Sequence, residues 1–241
     1  MDNNAGTEAL LHEAIRENLK KIKGNIEKAC REGGHHKNPD DVTIVGVTKT
    51  FGAGTVKAAI AAGIENIGEN KVQELEEKQA AIGRACKWHM IGHLQKNKAA
   101  RIAGRVSLIH SIDSIELLTE LERASKKSGA ITDVLVQINM TDEITKSGIK
   151  PGEVRAFLIQ AGRFEWVKVK GLMTIAQYTV VPEETRPVFR NLHKIFIDMG
   201  NEKLDNINME ILSMGMSNDY MIAVEEGSNM VRIGTAIFGS R

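Results

Sequence analysis

Cysteine is nearly missing from this chain: Cys30 and Cys86 are the two in 241 residues, far apart and in no metal-binding or redox spacing. That excludes a disulfide-stapled fold and a thiolate metal centre, and leaves both thiols as isolated reduced groups, expected on helices. Aromatic residues are sparse at 4%, so a core has to come from Val, Ile, Leu, Ala and Met. No apolar run reaches the roughly 20 residues that span a bilayer, and the start Met1-Asp-Asn-Asn-Ala-Gly is too polar for a signal peptide. Excess charge of either sign is lacking too: a formal net charge of +1 gives no field to draw in nucleic acid or an acidic membrane. These absences describe a cytoplasmic globular protein, read as a monomer that contacts neither nucleic acid nor membrane.

What is present is a period. Apolar runs of strand length recur at 43–47, 64–67, 88–91, 107–110, 134–138, 167–173, 209–212 and 230–233. Between them, 55–62, 72–82, 96–103, 115–127, 153–160, 188–199 and 218–226 place apolar residues three and four apart, which is helical spacing. Strand-then-helix repetition without successive hairpins predicts an α/β fold of parallel strands joined by crossover helices, and a (β/α)8 TIM barrel is the economical closure. Such a barrel takes about 250 residues, so a single domain over 1–241 leaves no room for a second. Residues 1–34 read as an extra N-terminal helix packing on the barrel: Leu11, Ile15, Leu19, Ile22, Ile26 and Ala29 share one face, and Gly33-Gly34 stops it. The stretch 33–40 is a connector.

In such a barrel the chemistry belongs at the carboxyl ends of the strands. There the sequence places Lys49, Gly68-Glu69-Asn70, Gly92-His93, Ser111-Ile-Asp113, Asn139, Met173-Thr174, Ser213-Met-Gly215 and Arg232-Ile-Gly-Thr235. Phosphate is often bound by the loops after the seventh and eighth strands. Here Gly215 and Gly234 allow close backbone approach, Ser213 and Thr235 bring hydroxyls, and Ser217 or Asn218 is placed to cap the next helix. Either loop alone is equally well read as a helix-start turn or a strand exit; both, at the right pair of strands, favour a phosphate monoester.

Lys49 ends the β-branched run Val42-Thr-Ile-Val-Gly-Val-Thr-Lys49. Most strand-end lysines only mark where a strand leaves the core. One preceded by so apolar a strand is expected to be shielded enough for its amine to be neutral part of the time and to form an imine with an aldehyde. A phosphate site and an aldehyde-reactive lysine on one rim point to pyridoxal 5'-phosphate, with Arg232 at its pyridine nitrogen.

Longer strings carry a resemblance. They are Val-Thr-Lys-Thr at 47–50, Ile-Gly-Glu-Asn-Lys-Val-Gln-Glu at 67–74, Trp-His-Met-Ile-Gly-His-Leu-Gln-Lys-Asn-Lys at 88–98, Gln-Ile-Asn at 137–139, Lys-Ser-Gly-Ile at 146–149, Gly-Leu-Met at 171–173, Leu-Ser-Met-Gly-Met-Ser at 212–217 and Val-Arg-Ile-Gly-Thr-Ala-Ile-Phe-Gly at 231–239. In order along nearly the whole chain, they resemble the pyridoxal phosphate homeostasis protein family. The resemblance implies a barrel similar to the amino-terminal domain of alanine racemase, the cofactor held as a Schiff base on Lys49, and a role in vitamin B6 homeostasis without established turnover. It implies Arg232 as the arginine at the pyridine nitrogen. Ser213, Gly234 and Thr235 fall in the phosphate loops with Ser217 in the same stretch, and Asn70 and His93 in the cofactor's surroundings. His93 and Lys71 depart from the family's usual residues at those places.

Rival readings are weaker. Gly52-Ala-Gly54 follows the first strand as a dinucleotide fingerprint would, but Lys57 replaces its third small residue, and Thr48-Lys-Thr50 lacks the glycines of a P-loop. His89 and His93 share metal-ligand spacing without an acidic or cysteine partner, so no metal is expected. Lys96, Lys98, Arg101 and Arg105 read as a solvated helix face. Two functions remain: storage, buffering or delivery of pyridoxal phosphate to apo-enzymes that use it, or amino-acid chemistry of the racemase or decarboxylase type. Racemisation needs a second acid/base opposite the lysine, which racemase-like enzymes draw from a further domain or subunit, so the binding protein is favoured. The segment 177–187, with Tyr178, Pro182 and Pro187, is expected to be a mobile lid over the site.

Overall fold

A computed structural model describes residues 3–35, 38–141 and 147–239. Eight parallel strands close into a barrel in chain order: β1 Thr43–Val47, β2 Asn66–Glu69, β3 Lys87–Met90, β4 Leu108–Ile112, β5 Thr132–Gln137, β6 Val167–Met173, β7 Ile207–Ser213 and β8 Met230–Ile233. The helices are α1 Asn3–Glu32, α2 Ala53–Ala61, α3 Val72–Ile82, α4 Ala99–Ile102, α5 Ile115–Ser128, α6 Val154–Ala161, α7 Arg186–Asn201, α8 Tyr220–Glu225 and α9 Thr235–Phe238. The barrel closes where β1 pairs with β8, Val45 lying beside Arg232 on that side and beside Asn66 of β2 on the other.

Side-chain alternation divides each strand between two cores. Val45, Leu108, Leu135, Met173 and Met230 meet inside the barrel, whereas Ile67, Ile109, Val134 and Leu172 join the larger core under the helices. The sheet needs one backbone without a side chain: a Cβ on Gly171, at φ +148°, would lie 1.8 Å from the Ile211 carbonyl oxygen. Registers shift on both sides of that glycine, where β6 bends against β5 and β7.

The expected face of α1 is the buried one, from Ile15 through Leu19, Ile22 and Ile26 to Ala29, with Leu11 packed at its edge. Each fully buried isoleucine contributes about 1.5–3 kcal/mol, so apolar area holds this helix against α2, α8 and α9. Two side-chain amides fix its register: Asn18 donates to the Ile237 carbonyl at 3.0 Å and Asn25 to the Tyr220 hydroxyl at 2.8 Å.

Departures are local. The helix expected over 96–103 is a 3-10 turn at Lys96–Lys98 followed by the short α4, because Ala103 turns extended and Gly104 takes φ +67°. Its basic residues all reach solvent as expected, Arg101 and Arg105 pairing there with Glu76 of α3. Cys30 lies on α1 as expected, but Cys86 sits in the bend before β3. Helix α8 starts at Tyr220 rather than 218, and α9 was not foreseen. Of the stretches read above, residues 36–37 of the connector and Lys146 lie outside the described residues.

Candidate functional site

A cavity of about 560 Å³ opens at the carboxyl ends of the strands. Of the residues expected there, Lys49, Asn70, His93, Ser217, Arg232, Gly234 and Thr235 line it, and Ser213 does not. A second hollow of about 550 Å³ lies on the opposite side, between Arg84, Lys87 and Arg105, away from the strand ends that carry the loops. The volume at the rim falls within the roughly 300–1,000 Å³ usual for small-molecule and cofactor sites.

Strand alternation delivers Lys49 to the cavity. Val45 points into the barrel, Val47 lines the cavity floor, and two residues on Lys49 follows on the same face. The shielding expected from the apolar strand is not there: β1 ends at Val47, the turn at 49–50 lifts the lysine to the mouth, and its side chain is exposed. Behind it Thr50 takes φ +64°, and its N–H donates to Glu74 Oε2 at 2.8 Å.

Arg232 enters from the neighbouring strand and is buried. Its Nη1 donates to Ser213 Oγ at 2.6 Å and its Nη2 to the Thr174 carbonyl at 2.7 Å. Burial lowers its pKa to about 10, opposed by the negative field of Asp219, so it stays cationic at neutral pH. Ser213, expected to bring a hydroxyl to a phosphate, therefore spends it deep in the barrel on the arginine. His110 Nδ1 lies 3.1 Å from the same oxygen, His110 Nε2 lies 3.0 Å from His89 Nδ1, and His89 Nε2 lies 3.0 Å from Asn66 Oδ1. Burial, with Lys87 nearby, lowers the His89 pKa to about 4, and burial beside His89 and Arg232 holds His110 well below the ordinary imidazole value. With both rings neutral, the Asn66 oxygen dictates every direction. His89 Nε2–H donates to Asn66, His110 Nε2–H to His89, Ser213 O–H to His110, and Arg232 to Ser213.

The loops after β7 and β8 meet at Ser217, whose hydroxyl accepts the N–H groups of Gly234 and Ala236 at 3.2 Å each. Ser217 thus ties the two loops together, and the position before α8 belongs to Asp219, whose Oδ1 accepts the Met216 N–H at 2.6 Å. Gly215, at φ +92°, keeps the chain close to α8, where a Cβ would stand 2.6 Å from that of Ala223.

The two histidines with metal-like spacing part company. His89 is inside the barrel, and His93 is exposed at the rim, its Nδ1 3.8 Å from Asp113. Among the described residues no three His, Cys, Asp or Glu side chains converge as a metal site would require. Lys71 stands outside the lining and pairs with Glu74, so of the two departures from the family pattern only His93 shapes the cavity. Gln137 and Ser147 line it without having been assigned, and Tyr178 reaches it from the segment read as a lid. Gln137 follows from being at the end of β5; Ser147 carries no such signal.

A family model described as alanine racemase, N-terminal domain, matches residues 13–241. The pyridoxal phosphate homeostasis protein of Aquifex aeolicus is 37% identical over 226 residues, covering 93% of this chain and 97% of that protein. Among solved structures, PipY of Synechococcus elongatus PCC7942, with PLP bound, is 31% identical at a TM-score of 0.80, over 93% of this chain and all of PipY. Alanine racemase from Clostridium difficile 630 superposes at a TM-score of 0.73 over 95% of this chain and 60% of its own, and at 20% identity it shares the fold alone.

Proposed function

The chain belongs to the pyridoxal phosphate homeostasis protein family, and from that premise we propose that it binds pyridoxal 5'-phosphate at the rim cavity and carries it on Lys49. One observation carries the assignment: paired strands β1 and β8 bring a primary amine and a buried guanidinium to one cavity, beside the joined loops at Ser217 and Gly234. When bound, the cofactor supplies an aldehyde that condenses with a primary amine and a phosphate that takes hydrogen bonds. The chain's residues suit both ends. Lys49 offers the amine, and where the two loops meet the Ser217 and Thr235 hydroxyls and the Thr235 N–H are the donors proposed for an anion, the Gly234 N–H being taken by Ser217.

Arg232 serves the ring. It donates but cannot accept, so a pyridine nitrogen held against it would meet a donor and remain unprotonated, a weaker electron sink than one paired with a carboxylate. No Asp or Glu lines the cavity among the described residues. Ser213 and the Thr174 carbonyl hold the guanidinium from behind, which is the role we give Ser213 in place of a phosphate contact. The resulting function is storage, buffering or delivery of the cofactor to apo-enzymes by a cytoplasmic monomer, not amino-acid turnover. No helix among the described residues is long and apolar enough to cross a membrane.

Borohydride treatment of the protein incubated with pyridoxal phosphate tests the reading: the reduced cofactor should map to Lys49, and Lys49→Ala should lose it while folding normally. A label on another peptide refutes the site. The same preparation, offered a panel of amino acids, should stay far below the usual enzyme range of about 1–1,000 turnovers per second; a rate within it would make the protein an amino-acid enzyme.

A further inference from the structure

One polar cluster beside the cavity has no part in lining it. Glu69, at the end of β2, and Lys78 of α3 are both buried, and they lie behind the turn that carries Lys49. Glu69 Oε1 accepts the Thr48 hydroxyl at 2.5 Å and Lys78 Nζ at 2.6 Å, while its Oε2 has no hydrogen-bond partner. Lys78 Nζ also donates to the Thr48 carbonyl at 2.7 Å and stands 3.8 Å from Glu74 Oε2, the acceptor of the Thr50 N–H.

A buried ion pair is a poor way to gain stability, since desolvation offsets its attraction and an apolar pair of similar volume often does as well. Its value lies in directing backbone geometry. The hydrogen bonds of this cluster to the turn after β1 fall on Thr48 and Thr50, the residues on either side of Lys49. Lys78 connects the two anchors, because Glu74 lies one turn before it on α3. The Lys49 side chain is long, and where its amine comes to lie is set first by the backbone from which it departs.

We propose that Glu69, Glu74 and Lys78 are positioning residues that clamp the turn at 48–50 and so set how firmly Lys49 keeps the cofactor's aldehyde. This rests on the cofactor assignment above. The clamp acts on the covalent part of binding alone and leaves the phosphate loops untouched.

The test compares pyridoxal 5'-phosphate with pyridoxine 5'-phosphate, which carries an alcohol in place of the aldehyde. Glu74→Ala, at a partly exposed position that leaves the core intact, should weaken the aldehyde form about tenfold or more, the effect of one lost charge-assisted hydrogen bond, and leave the alcohol form unchanged. Glu74→Gln keeps an acceptor for the Thr50 N–H and should recover most of the loss. Lys78→Met combined with Glu69→Gln should reproduce the selective loss without a stranded buried charge. Equal weakening of both ligands would mean general damage and overturn the clamp, as would no weakening of either. A wild-type protein that binds both forms alike would refute the Lys49 assignment itself, before any variant is made.

Discussion

His89 and His110 make stability depend on pH through side chains that never reach the cavity. The unfolded chain takes up protons on these rings below about pH 6.5, whereas folded His89 resists until about 4, chiefly because it is buried. The stability its neutral state provides is complete above 6.5 and drains away as the pH falls through that window, by roughly 3 kcal/mol for His89 alone. Burial raises the Glu69 pKa, so that carboxyl works in the opposite sense, taking up its proton more readily folded than unfolded. The urea midpoint should therefore fall steadily from pH 7 to pH 5, and His89→Gln should flatten the slope; identical slopes would show that the ring is not held neutral. Lys49 was legible because a period of two along β1 leads to it. The chain from Arg232 to Asn66 was not, since it joins five strands whose mutual register no local pattern reveals. Exposure of Lys49 was missed for a related reason: hydrophobicity before a residue does not say how far the next turn lifts it.

At the scale of elements, the connection 174–185 between β6 and α7 brings exposed residues to the cavity. Ile175 and Tyr178 line the cavity, and Val180 is 84% exposed, an unusual placement for a valine. Thr174 anchors its start to Ile138, Ser213 and Arg232, and two further ties lie beyond it. Asn218 Nδ2 donates to the Thr179 carbonyl at 2.9 Å, and Arg186, at the start of α7, pairs with Glu183, Glu225 and Glu226. Pro187, read as part of a lid, is instead in the first turn of α7, so a lid would consist of the residues before it. Amides of 175–181 should exchange at least about a hundredfold faster than those of β6, and added pyridoxal phosphate should slow them. Exchange as slow as in the strand would rule out a lid. Strands β1, β6 and β8 and helix α3 matched their sequence limits, because runs of β-branched residues or an unbroken helical stripe end sharply. Over 96–103 the helical spacing was genuine, but Gly104 and the entry into β4 cut the helix short.

For the whole molecule, the closed barrel makes cofactor binding a measure of global folding. A ligand that binds only the folded form stabilises it by about 2.7 kcal/mol at a hundredfold excess over Kd. For a chain of this size that corresponds to a rise in melting temperature of roughly 5–10 °C. Pyridoxal, without the phosphate, should give a small fraction of that rise at the same concentration; equal shifts would remove the anion site from the loops after β7 and β8. The (β/α)8 architecture itself was legible from the alternating periods, since few folds accommodate eight strand-and-helix units in this length.

Closure between β1 and β8 also orders events during synthesis. Lys49 leaves the ribosome early, with the first strand, yet the guanidinium and the loop that complete its surroundings arrive with the last. With Lys49 as the proposed carrier, a nascent chain would present its amine before the residues proposed to retain the cofactor, and a polypeptide interrupted after β7 should keep that lysine yet fail to hold pyridoxal phosphate.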